Sequence, residues 1–129
     1  MPIRFVNKTL HAYLDYPVAL ALIALPFLLG LGASNPLALW LAVVTGIAAF
    51  ILTLLTDHHL GVVRVIPYSV HMAVDAIVGV TFLLAPFVFG FAGLDAAFYW
   101  LNGAAVCVVI ASHKAEKAEK ANSGISVVN

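Results

Sequence analysis

Residues 16–56 contain no Asp, Glu, Lys, Arg or His, and neither do residues 76–94. A soluble domain carries about a quarter charged residues, whereas this chain carries 9% and is 64% hydrophobic. Uncharged runs of this length are the signature of membrane-spanning segments. The bilayer interior admits only helices and closed barrels, because every backbone polar group must be satisfied within the protein. Runs this long and this uniformly apolar are helical.

Four spans fit, at about residues 10–31, 37–56, 70–91 and 96–112. A 20-residue helix covers the roughly 30 Å hydrocarbon core at about 1.5 Å per residue. Turn-forming stretches separate them: GLGASNP at residues 30–36 and GFAGLD at residues 90–95. The segment TDHHLGVVRVIPYS, residues 56–69, joins the halves. The first span is too long for a cleavable signal, and no small-residue cleavage pattern follows it.

The cations set the expected orientation. Arg4, Lys8, Arg64, Lys114, Lys117 and Lys120 all fall in the N-terminal arm, the central loop or the C-terminal tail. With four spans these segments share one side. The positive-inside rule then puts both termini and the central loop in the cytoplasm. The single Cys107 forms no intramolecular disulfide and is expected to serve packing.

The chain also repeats itself, without a gap, at an offset of 60 residues. TLHAYLD at residues 9–15 answers SVHMAVD at 69–75. Arg4 matches Arg64, His11 matches His71, Asp15 matches Asp75, and Val18 matches Val78. Pro26-Phe27 matches Pro86-Phe87, Gly30 matches Gly90, and Trp40-Leu41 matches Trp100-Leu101. Residues 1–60 form a first helical-hairpin repeat and residues 61–121 a second, which ends in a charged helical extension. Residues 122–129 read as a disordered tail. An even number of spans per repeat inserts both halves the same way up, with a quasi-twofold axis along the membrane normal.

On a helix at about 100° per residue, with His11 at zero, Asp15 falls at about 40°, Pro26 at about 60° and Ala19 at about 80°. Gly30 falls at about 100°, and Phe27 and Val18 lie outside this arc. The arc holds the polar and small residues, which in membranes face other helices. Thr45, Ala49 and Thr53, and likewise Gly103, Cys107 and Ala111, recur at four-residue spacing and read as close-packing faces. The expected fold is an all-α membrane protein: a four-transmembrane-helix bundle built from two tandem hairpins.

The two His-x-x-x-Asp … Pro-Phe-x-x-Gly … Trp hairpins, with the linker LTDHHLGVVRVIPYSVHMAVD, resemble the SPW-repeat family of small bacterial membrane proteins. The resemblance covers roughly residues 9–112. The Ser-Pro-Trp triplet reads Leu25-Pro26-Phe27 and Ala85-Pro86-Phe87 here. The resemblance implies a four-span repeat fold and no particular activity.

Thr9 and Ser69 read as helix N-caps. Pro26 and Pro86, with Gly30 and Gly90, are expected to shape the far ends of their helices. His11/Asp15 and His71/Asp75 are the candidate site, since spacing of four puts each His one turn from its Asp on one face. The first reading is structural, with His–Asp hydrogen bonds acting as interhelical glue and Arg4 and Arg64 as counter-charges. The sharper one gathers both pairs at the axis to bind a divalent metal such as zinc, or to relay protons. Asp57, His58 and His59 read as solvated loop residues, with Asp57 a cap or a partner for Arg64. His113 and KAEKAEKA read as a mixed-charge helix, too balanced to be a polybasic lipid site.

There is no phosphate-binding loop, no Ser/His/Asp nucleophile order, no Cys pair and no Lys within a span. A haem held by two His would have to sit at the cytoplasmic edge. Zero formal net charge argues against nucleic acid. The expected function is a non-enzymatic structural or interaction module. It needs no cofactor, has the lipid bilayer around it, and associates with copies of itself or another membrane protein. The rival is a metal-ion or proton binding or transport protein. Transport ranks lower, because the shared arc turns apolar beyond Asp15 and Asp75.

Overall fold

The computed structural model describes the backbone of residues 8–57 and 60–128, and side chains over 13–57 and 60–112. Four helices follow one another: α1 (Lys8–Leu28), α2 (Leu37–Leu55), α3 (Tyr68–Phe89) and α4 (Gly93–Val128). Their starts and ends fall within about three residues of the expected spans except at the end of α4. That helix continues through KAEKAEKA, a run of strong helix formers, and on to Val128, so residues 122–128 are helical rather than disordered. Among the described residues, β-structure is one isolated bridge between Thr56 and Ile66.

Helices α2, α3 and the Gly93–Ser112 part of α4 are each long and apolar enough to cross a membrane. The described apolar stretch of α1 is Tyr13–Leu28, within a 21-residue helix of about 31 Å. The chain is a multi-pass membrane protein. α1 packs on α2 and α3 on α4 as two hairpins, with far sparser contact between hairpins, chiefly α2 with α3.

The repeat is reproduced in the backbone. Gly30 and Gly90 adopt left-handed conformations at φ 66° and 68°, which glycine takes without steric cost. The next residues then turn back to bond the proline carbonyl one turn earlier: Leu31 N–H to Pro26 O at 2.9 Å, and Phe91 N–H to Pro86 O at 3.0 Å. Phe27 sits edge-on to Trp40 at 6.1 Å, and Phe87 lies against Trp100 at 5.8 Å. These aromatic pairs face outward.

Close packing differs from expectation in one respect. Thr45, Ala49 and Thr53 line a cavity between the hairpins, and the tight approach of α1 to α2 is made at Gly46. A Cβ there would meet Ala19 O at 2.9 Å and Ile23 Cγ1 at 2.8 Å. In the second hairpin Gly103 plays the part, 2.8 Å from Gly79 O by the same measure, while a Cβ on Gly79 would meet Cys107 Sγ at 3.1 Å. Cys107 therefore packs, as expected.

The expected capping differs too. Helix α3 starts after Pro67, which makes no side-chain cap, and its carbonyl receives the N–H groups of Val70 and His71. Proline fixes φ for a helix start and lacks the donor that would go unmet, so Ser69 lies within the first turn instead of capping it. Thr9 falls inside α1, with its side chain outside the described residues.

Candidate functional site

The central linker folds back over the end of α2. Asp57 N–H donates to Ile66 O at 2.7 Å, and the N–H groups of Val65 and Ile66 reach Leu55 O. This return delivers α3 with His71 directed at the end of α2. His71 is 2% exposed, and its Nδ1 lies 2.7 Å from Thr56 Oγ1. Its Nε2 lies 3.3 Å from Asp75 Oδ2, one turn along α3, and 3.4 Å from Asp15 Oδ2 on α1. The Asp15–His71 contact thus links the two hairpins. It joins the early turns of α1 and α3, and Asn35, in the turn past the end of α1, reaches Phe89 O at the end of α3, so the two helices run parallel.

The Thr56 hydroxyl also lies 2.6 Å from Leu52 O, one turn back along α2, so Oγ1 sits between its own helix and the His71 ring. One ligand atom from each of Asp15, His71 and Asp75 comes within 4.8 Å of the other two, so this trio could hold a metal ion.

Of the four residues singled out in the sequence, three are brought together; the side chain of His11 lies outside the described residues, as do Arg4, His58 and His59. Asp57 and Arg64 are exposed, and Arg64 Nε donates to Gly61 O within its own loop at 3.2 Å. Thr56 was missed. Its only signal was position, as the last residue of the uncharged run.

A second polar cluster, also unforeseen, fastens the opposite end. Asp95, 2% exposed at the start of α4, accepts Gly32 N–H at 2.9 Å, Ser34 N–H at 2.9 Å and the Ser34 hydroxyl. Its repeat counterpart Asn35 reaches the other way, donating from Nδ2 to Phe89 O at 3.0 Å. Ala92 N–H donates to Ser34 Oγ at 3.1 Å. Below this clasp the fully buried Tyr99 donates to Ala38 O at 2.7 Å, from α4 to α2. Matched side-chain amide and carboxylate at offset 60 in the two turns were the signal available.

Between the two fastened ends lies a cavity of about 510 Å³. The SPW repeat domain family model matches residues 9–116. The chain belongs to the SPW repeat family. That match spans both hairpins, the Asp15–His71–Asp75 cluster and the clasp, so this SPW repeat protein carries all of them within the shared domain. Comparison with curated proteins and with solved structures finds no match.

Proposed function

We propose that this SPW repeat protein is a non-catalytic module of the bacterial inner membrane, with both termini cytoplasmic, that acts by structure and association rather than by chemistry. The observation that carries this reading is the His71 network, which spends its polar atoms on joining α1, α2 and α3 where the hairpins otherwise touch little. Intramembrane polar contacts of this kind serve as glue between helices. The partner is a second copy or another membrane protein, with the lipid bilayer around it.

The orientation rests on the six cations, which fall in the N-terminal arm, the central linker and the C-terminal tail of the sequence. Reporters fused at residue 1 and at residue 129 should both read cytoplasmic. A periplasmic signal from either terminus defeats the orientation.

A second reading is favoured by the three converging ligand atoms. Here Asp15, His71 and Asp75, with His11 from the repeat, take a divalent ion such as zinc. Asp75→Asn separates the two. As glue, the amide keeps a hydrogen bond and the variant loses about 1 kcal/mol, whereas Asp75→Leu withdraws a partner from a buried ring and loses about 1–3 kcal/mol. As a metal site, Asp75→Asn should abolish stoichiometric metal, because a neutral amide is a poor ligand. Thermal unfolding in detergent and elemental analysis of both variants give the answer. Metal at one equivalent in the parent, lost in Asp75→Asn, sinks the purely structural reading.

A further inference from the structure

We propose that the central linker is a bilayer anchor, with Val62, Val63 and Val65 seated in lipid at the headgroup/acyl boundary beside the end of α2. The three side chains are 73%, 51% and 67% exposed to the surroundings of the protein. In the linker stretch LGVVRVIPY, residues 60–68, Arg64 is the one charged residue. A loop facing water gains nothing from exposed valines, and apolar surface of this kind marks an interaction site.

The depth of the linker names the partner. Helix α2 has 19 residues, so it is about 28 Å long and matches the roughly 30 Å hydrocarbon core. Its last turn therefore lies at the boundary. The linker is bonded to that turn: Val62 and Val63 N–H reach Leu54 O at 2.8 and 3.0 Å, and Val65 and Ile66 N–H reach Leu55 O at 3.0 and 2.9 Å. A Cβ at Gly61 would collide with Thr56 O, so the chain passes close against the helix end. These bonds also meet the condition for lying in lipid, which offers backbone groups no partner. On the acceptor side, Leu60 O takes the Tyr16 hydroxyl at 2.8 Å, Gly61 O takes Arg64 Nε–H, Val63 O takes Val65 N–H and Ile66 O takes Asp57 N–H. Exposed apolar surface flanks the linker at Ile51 on α2 and Val70 on α3, both on helices long and apolar enough to cross the bilayer. The valines extend that lipid contact past the helix ends. Arg64 tolerates this depth, since a guanidinium on a long apolar stem reaches the headgroup level. The anchor rests on the membrane-spanning helices and stands whichever role the His71 network plays.

The test uses the full chain in liposomes of phosphatidylcholine and phosphatidylglycerol. Val62→Cys, Val63→Cys and Val65→Cys, each in a Cys107→Ala background, carry a nitroxide that is relaxed by oxygen or by a water-soluble nickel chelate. Ile51→Cys gives the lipid-facing reference, and lipids labelled at known depths give the scale. All three labels should favour oxygen over nickel several-fold more than a label free in the buffer, and should lie within about 5–10 Å of the headgroup/acyl boundary. A ratio equal to that of the free label overturns the proposal, as does shielding from both reagents, which places the linker against protein. A second measurement keeps Cys107 in place. A benzophenone amino acid at position 63, irradiated in the same liposomes, should give adducts of lipid mass. Cross-links between two copies of the chain, or no lipid adduct, overturn the anchor.

Discussion

Replacing Asp95 by Ala should lower the unfolding free energy by about 3 kcal/mol, the largest loss expected from any single polar side chain here. Asp95 accepts two backbone N–H groups of the opposite hairpin's turn and a hydroxyl. Hydrogen bonds to a charged acceptor contribute about 1.5–3 kcal/mol each, and an N–H left buried without a partner costs about 1–3 kcal/mol. The three bonds share one carboxylate and do not add fully. Asp95→Asn keeps one acceptor oxygen and should lose about half as much. Both variants should retain helical content, because the clasp joins hairpins and does not build them. Chemical unfolding in mild detergent, followed by circular dichroism and by a cross-link between the two turns, measures the effect. If Asp95→Ala unfolds within about 0.5 kcal/mol of the parent, the ordinary range for surface changes, the clasp does not hold the hairpins together.

Gly103→Leu should cost about 3 kcal/mol or more, through a different route. Even a Cβ at Gly103 would stand 2.8 Å from the carbonyl oxygen of Gly79 and 3.0 Å from Leu83 N. Those are backbone atoms of the facing helix and cannot swing aside, so α3 and α4 must separate. Overpacking of this kind costs about 1–3 kcal/mol per insertion, and separating the helices also discards the packing that drives association in lipid. The neighbouring Ala104 is exposed to the surroundings, and Ala104→Leu should change stability by less than about 0.5 kcal/mol. The two substitutions add the same side-chain type one residue apart, so hydrophobicity is controlled. Equal unfolding free energies for the pair would show that the α3–α4 approach is looser than its geometry.

Much of the fold was written in local pattern. Uncharged runs set the spans, because no other structure buries that much apolar chain in a bilayer. The gapless repeat set the duplication, since equivalent residues meet equivalent surroundings in each hairpin, as the Pro26–Leu31 and Pro86–Phe91 closures show. Helical periodicity also found the inward arc, with Ala19, Pro26 and His71 buried and Val18 and Phe27 exposed. Capping was misjudged at Ser69 because the linker, folding back along α2, brings Pro67 to the helix start. Gly46 was passed over because periodicity marks a face and cannot say which residue on it meets the neighbouring helix most closely.

The sequence by itself determined an all-α membrane chain of two like hairpins, and it determined that Asp15, His71 and Asp75 share inward faces. These are consequences of composition and of period, which act along the chain. Only the tertiary structure decided that Asp15 crosses to His71, that Thr56 Oγ1 meets Nδ1 of the same ring, and that Asp95 closes the opposite end. Those contacts join residues 15 to 63 positions apart. Their geometry depends on how one hairpin sits against the other. That placement follows from side chains at which the repeats differ: Thr56 and Glu116, Asn35 and Asp95, Leu39 and Tyr99. A perfect repeat would carry the same group at each of these positions. It is the departures from the repeat that give the pair of hairpins one polar cluster at one end, a carboxylate clasp at the other and an apolar cavity between.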